Sequence, residues 1–118
     1  MDKAGGELFD NQTILKIMQS AVLVSQKAFG DNLHQVWLYG SYARGDWNED
    51  SDVDCMIVVS KPVEEWKYLH TVFCDFTIDA LTQYGEVPSI LIADKEEFNE
   101  EITPLYNNVK KEGVLFYG

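Results

Sequence analysis

The stretch LYGSYARGDWNEDSDVDCMIVV, residues 38–59, decides the fold and marks a candidate site. Gly40-Ser41 closes one apolar run, Asp52-Val53-Asp54 opens the next, and ten residues, 42–51, separate the two motifs. A turn of small residues lets backbone N–H groups approach an anion. Two carboxylates can hold a hard divalent cation. The stretch therefore predicts a site for a phosphate group and a metal ion.

The two aspartates suit a magnesium site. Residues two apart in a strand face the same side, so Asp52 and Asp54 should project together. Like charges this close repel each other unless a cation lies between them, and Mg²⁺ accepts carboxylate oxygens while bridging to phosphates. A solvated acidic loop is the simpler alternative. A calcium loop starting at Asp50 is excluded, because its sixth position is Cys55 and its twelfth is Lys61.

Gly40, Ser41 and Arg44 are the candidate phosphate-binding residues. Glycine brings the backbone close to a ligand, and the Ser41 hydroxyl and N–H can reach a phosphate oxygen. The guanidinium of Arg44 offers a fork of donors to terminal phosphates. The alternatives are an ordinary strand-ending turn and an Arg44 side chain that pairs with Asp46 or Glu49.

A third carboxylate on a neighbouring strand would complete a site for two metal ions. The stretch 71–81 is rich in β-branched and aromatic residues and is predicted to be a long strand. Asp75 and Asp79 share one face of that strand. Asp79 is favoured, because its neighbours are apolar and an ionised group there is costly without a compensating cation. Asp75 remains the alternative.

Hydrophobic periodicity predicts strands interleaved with helices, and hence an α/β or α+β domain with a small mixed sheet. Residues 1–10 are expected to be a flexible leader, and residues 11–118 a single domain. Other predicted strands are 36–39, 53–59, 88–92 and 114–117. Predicted helices run from 11 to a turn at 30–32, from 62 to 68, from 95, and from 104 to Gly113.

Composition narrows the class of protein. The formal net charge of −11 argues against non-specific binding to nucleic acid, because Lys and Arg supply most of that affinity. The chain has no apolar run near the length of a membrane span and does not begin like a secretion signal. We therefore expect a cytoplasmic protein that does not interact with membranes.

Gly40-Ser41, the ten-residue spacing, Asp52-x-Asp54 and a later strand aspartate matched to Asp79 resemble the minimal branch of the nucleotidyltransferases related to DNA polymerase β. The resemblance implies the palm-like nucleotidyltransferase fold. It also implies that Asp52, Asp54 and Asp79 hold two Mg²⁺ ions, that Ser41 steadies the triphosphate of ATP, and that AMP passes to a hydroxyl group while pyrophosphate leaves.

The same resemblance suggests an acceptor. Minimal members of this family pair with small helical HEPN toxins and act as antitoxins that attach AMP to a toxin tyrosine. Related enzymes with other acceptors carry a further domain, so here a partner is expected to complete the acceptor site. Two alternatives are nucleotidyl transfer to a small hydroxyl compound by a homodimer, and an idle binding module that acts by occlusion. Three intact carboxylates would argue against the idle module.

Overall fold

Four strands form one mixed sheet at the centre of the fold, in the order β3-β2-β1-β4. The computed structural model describes residues 11–118, so the leader predicted at 1–10 lies outside the described residues. Strand β1 pairs antiparallel with β2 and with β4, whereas β2 and β3 are parallel. The strands are β1 (Leu33–Tyr39), β2 (Val53–Val59), β3 (Pro88–Asp94) and β4 (Val114–Tyr117). The predicted small mixed sheet is confirmed.

Helices cover both faces of this sheet and complete an α+β architecture. They are α1 (Gln12–Phe29), α2 (Ser41–Arg44), α3 (Glu65–Leu69), α4 (Val72–Tyr84), α5 (Lys95–Glu100) and α6 (Pro104–Glu112). A 3₁₀ turn, Gly30–Asn32, joins α1 to β1. In the part of the chain that the structure describes, no helix is both long and apolar enough to cross a membrane.

Strand β2 contributes to both apolar clusters of the core, because its side chains alternate between the two faces of the sheet. Val53, Cys55 and Ile57 pack in the cluster beneath α1 and α4. Met56 and Val58 point the other way, into a cluster with residues of α5 and α6. A strand buried on both faces reads as one continuous apolar run. Asp54 precedes Met56 by two residues and Val58 by four, so its side chain projects on the same face of the sheet as theirs. This face, which α5 and α6 cover, is called the site face below.

Two helices on the site face begin at side-chain caps. The carboxylate of Asp94 accepts a hydrogen bond from the N–H of Glu97 at 3.0 Å and starts α5. The hydroxyl of Thr103 accepts from the N–H of Tyr106 at 3.4 Å, with Pro104 in the first turn of α6. These starts confirm the predicted helices at 95 and 104.

The prediction of a strand over 71–81 is wrong, because this segment forms helix α4. Its buried residues are Phe73, Phe76 and Ala80, spaced by three and four positions, and they pack in the cluster that α1 also covers. Gly85 ends the helix with its N–H donated to the carbonyl of Leu81. Helical spacing of the apolar residues outweighed the β-branched composition.

Candidate nucleotide-binding site

Gly40 links the end of β1 to the start of α2 and brings the backbone against a carboxylate. Its φ of 78° and ψ of −156° belong to a conformation that only glycine adopts readily. A Cβ atom built on Gly40 would collide with Oδ2 of Asp54 and lie 3.1 Å from its Cγ. Glycine is thus required twice, by the backbone angles and by the space that the Asp54 side chain occupies.

Helix α2 places Ser41 directly after this glycine. The N–H groups of Ala43 and Arg44 both donate to the Gly40 carbonyl, at 3.1 Å each. Within a helix, the first N–H groups have no intrahelical acceptor, so those of Ser41 and Tyr42 are available to an anion. The predicted Gly40-Ser41 turn therefore has a backbone arrangement suited to a phosphate oxygen.

Tyr42 anchors the short helix from the opposite side. Its side chain is only 5% exposed, its hydroxyl donates to Oε1 of Glu86 at 2.9 Å, and its ring stacks on Trp47 with centroids 5.3 Å apart. Burial, followed by the hydrogen bond to Glu86, raises the pKa of Tyr42 to about 12. Tyr42 therefore fixes the position of the site loop as a neutral side chain.

Asp54 lies one residue into β2 and opposite Tyr39 of β1. Burial raises the pKa of the Asp54 carboxyl, the neighbouring charge of Asp52 raises it further, and the Arg44 guanidinium lowers it. The pKa of Tyr39 rises to about 12, first because of burial and then because of the Asp54 charge. The repulsion between the two aspartates is the electrostatic pattern that a bound cation would relieve.

The guanidinium of Arg44 already has two acidic partners. Its Nε donates to Oδ2 of Asp46 at 3.2 Å, and its Nη1 lies 3.7 Å from Oε1 of Glu112. These side chains are substantially exposed, so the ion pairs are weak and can be exchanged for a phosphate. The alternative given for Arg44, pairing with Asp46, is therefore observed, and Arg44 also lines the cavity described next.

An open cavity of about 330 Å³ joins these residues. Its walls come from the end of β1, from α2, from β2 and from α6. The lining residues are Tyr39, Gly40, Ser41, Arg44, Asp54, Leu105, Asn108, Val109 and Glu112. The contribution of α6 was not predicted, because sequence periodicity indicates which residues of a helix are buried but not which strand end the helix reaches.

Asp79 lies elsewhere, so its predicted position beside Asp52 and Asp54 is corrected. Helix α4 packs on the face of the sheet opposite Asp54. Asp79 lines a separate cavity of about 90 Å³ beside Lys16 and Ser20 of α1. Between residues 11 and 118, no group of three or more His, Cys, Asp or Glu side chains is arranged to hold a metal ion. Asp75, the alternative, is on the same helix.

Comparison with known proteins identifies the class to which this fold and cavity belong. The pattern of the nucleotidyltransferase domain family matches residues 23–115. The chain is 31% identical over 107 residues to a protein of Methanocaldococcus jannaschii named "Putative protein adenylyltransferase MJ0604", covering 86% of this chain and 96% of the relative. The chain therefore belongs to the nucleotidyltransferase domain family and is a nucleotidyltransferase.

Several solved structures share this fold. A toxin–antitoxin structure with AMP-PNP superposes with a TM-score of 0.54 at 16% identity, covering 92% of this chain and 73% of that one. The complex of a tri-AMPylated Shewanella oneidensis HEPN toxin with its MNT antitoxin gives 0.52 at 10% identity, covering 89% and 72%. At these identities the similarity establishes the fold, and the expected minimal-nucleotidyltransferase fold is confirmed.

Proposed function

We propose that this nucleotidyltransferase transfers AMP from ATP to a hydroxyl group of a partner protein. The observation that carries the proposal is the close approach of Asp54 to the Gly40 backbone, in a cavity that also contains Ser41 and Arg44. This arrangement sets a metal-binding carboxylate beside a phosphate-binding turn. It is the combination that a nucleoside triphosphate with a divalent cation requires.

Asp52 and Asp54 are the residues that would hold Mg²⁺. The chemistry of the pair fits, because two hard, acidic oxygen ligands lie close enough for the charge of Asp52 to raise the pKa of Asp54. When bound by these two residues, such an ion would supply positive charge to neutralise the charge that develops on phosphate oxygens during transfer. The two carboxylates leave room for the remaining ligands to come from water and from the substrate.

Ser41 and Arg44 would orient the triphosphate. The Ser41 hydroxyl and the N–H groups at the start of α2 can donate to phosphate oxygens. Arg44 would exchange Asp46 and Glu112 for a phosphate, to which its planar guanidinium can donate two parallel hydrogen bonds. Both residues act by holding the substrate with its α-phosphorus accessible to the acceptor oxygen.

A protein acceptor is favoured by the names and complexes of similar proteins. A relative matched over 86% of this chain is named "Putative protein adenylyltransferase MJ0604", and one structure of the same fold is an MNT antitoxin in complex with a tri-AMPylated HEPN toxin. We therefore propose that the acceptor is a tyrosine hydroxyl of a HEPN-type toxin and that this chain acts as its antitoxin. The argument against an idle binding module from three carboxylates no longer applies, because Asp79 is remote from the site.

The test is transfer of label from ATP carrying radioactive α-phosphate, with Mg²⁺, in extract of the host cells. Wild-type protein should label one macromolecular band that Asp54→Asn does not label. Asp31→Asn is the matched control, since it removes the same charge from the exposed turn before β1, at the other end of that strand. Labelled small molecules in place of a protein would contradict the protein acceptor, and no label in any fraction would contradict transfer.

A further inference from the structure

Strand β3 places a serine beside Asp54. Strands β2 and β3 are parallel, and Ser89 is the register partner of Asp54. Leu91 and Ala93, two and four residues later, pack in the cluster of Phe98 on the α5/α6 face. Because alternate residues of a strand share a face, Ser89 projects on the same side of the sheet as Asp54. The Ser89 side chain is exposed there.

The strand on the other side also presents a hydroxyl. Tyr39 of β1 is the register partner of Asp54, and both residues line the cavity. Asp54 therefore lies between Tyr39 and Ser89, one on each neighbouring strand. Neither residue is a carboxylate, so neither brings a negative charge to the cation site at neutral pH, since phenol and aliphatic hydroxyl groups are then uncharged.

Of two glutamates near these residues, Glu112 lines the cavity from α6, and Glu86 is bound to Tyr42. Glu112 lies 3.7 Å from the Arg44 guanidinium. Glu86 accepts the hydrogen bond of the Tyr42 hydroxyl at 2.9 Å. Glu112 belongs to the α6 wall, so with Asp79 remote the acidic groups that β2 and its start offer to a cation are Asp54, which lines the cavity, and Asp52 two residues before it. Their combined charge balances one divalent ion.

We propose that Ser89 occupies the position from which a third acidic ligand would complete the site, so that each chain holds one divalent cation through Asp52 and Asp54. The proposal rests on the proposed function, because it concerns the same cation site. It departs from the two-ion arrangement that the sequence resemblance implied. Substitution of Ser89 by aspartate would supply the missing negative charge from β3 and create a site for a second ion.

The experiment measures Mn²⁺ binding by the loss of the electron paramagnetic resonance signal of free Mn²⁺. In nucleotide-free protein, Ser89→Asp should bind Mn²⁺ about tenfold more tightly than wild type, or better, because a third charge lies a few ångströms from the ion. Ser20→Asp is the matched control. It adds the same charge at an exposed position beside Asp79, on the opposite face of the sheet, and should bind like wild type.

Stoichiometry gives a second readout that does not depend on catalysis. With saturating α,β-methylene ATP, wild type should bind one Mn²⁺ per chain and Ser89→Asp should bind two. Two ions in wild type would overturn the proposal, and so would a Ser89→Asp variant with unchanged affinity. Thermal melting should show both serine variants folded, as expected for substitutions at exposed positions.

The two proposals fail in different ways. If wild type labels no acceptor but the Mn²⁺ titrations follow the expected pattern, the proposed function is refuted and the one-cation site stands. If labelling succeeds but wild type binds two ions, only the one-cation site is refuted. Glu112→Gln then tests the nearest remaining acidic side chain of the cavity, and loss of the second ion in that variant would locate the ligand.

Discussion

Substitution of Gly40 by alanine should disturb the backbone and the cation site together. The φ of 78° and ψ of −156° at Gly40 lie in a region that costs other residues about 1–3 kcal/mol. The new Cβ would also collide with Oδ2 of Asp54 and lie 3.1 Å from its Cγ. The carboxylate is the more mobile partner, so we expect it to rotate out of its place at the cavity wall.

The two costs can be separated by a double-mutant cycle. Forcing the Asp54 side chain away from its rotamer costs about 0.5–1.5 kcal/mol. In an Asp54→Ala background that cost disappears, because the colliding Oδ2 and Cγ atoms are removed and Cβ of residue 54 lies 3.3 Å away. Gly40→Ala should therefore be about 0.5–1.5 kcal/mol less destabilising in this background, leaving the backbone cost of about 1–3 kcal/mol.

Urea unfolding of wild type, Gly40→Ala, Asp54→Ala and the double variant measures these differences in the free energy of unfolding, provided that the m-value is the same for all four. Gly45→Ala is the control, since Gly45 has a φ of 88° but no atom within 4 Å of its added Cβ. It should cost about 1–2 kcal/mol in either background. Gly40→Ala should also lose Mn²⁺ binding, whereas Gly45→Ala should retain it. Equal destabilisation by Gly40→Ala in both backgrounds, with Mn²⁺ binding intact, would refute the close approach of Gly40 and Asp54.

Three further predictions concern single side chains. Because burial and a like charge raise the pKa of Asp54 above 3.8, its ionisation opposes folding. Asp54→Asn should therefore raise the free energy of unfolding at pH 7, and urea titrations should show the gain shrinking as pH falls towards 3.8. Phe98→Ala should lower the free energy of unfolding by about 3–5 kcal/mol in urea, since Phe98 is 1% exposed between the sheet and α6; a loss under 1 kcal/mol would contradict that packing. Ellman's reagent should modify exposed Cys74 quickly and buried Cys55 only on unfolding, because burial also raises the Cys55 pKa; two fast thiols would place Cys55 outside the core.

The sheet was predictable from local sequence signals. Val53–Val59 is a continuous apolar run, and strands buried on both faces have this pattern. The Gly40-Ser41 turn and the Asp52-x-Asp54 motif also needed only local chemistry, since one requires an unhindered backbone and the other two carboxylates of the same strand end. In the structure, Gly40, Ser41 and Asp54 line one cavity, and Asp52 is not among the lining residues of that cavity.

The position of Asp79 and the strand that lies beside β2 could not be predicted from local sequence signals. The segment 71–81 combines β-branched composition with apolar residues at helical spacing, and the packing of Phe73 and Phe76 against α1 decided for the helix. Strand β3 then takes the place beside β2, so Ser89 becomes the neighbour of Asp54. That register depends on tertiary pairing, which no local pattern in the sequence specifies.

The location of the active site is tested most directly by comparing Asp54→Asn with Asp79→Asn. Both variants remove one carboxylate, but Asp54 lines the cavity with Gly40 and Ser41, whereas Asp79 lies across the sheet beside Lys16. With α-labelled ATP and Mg²⁺ in host extract, Asp54→Asn should abolish labelling of the acceptor and Asp79→Asn should leave it near the wild-type level. Loss of labelling in a folded Asp79→Asn variant, or its retention in Asp54→Asn, would contradict this assignment of the site.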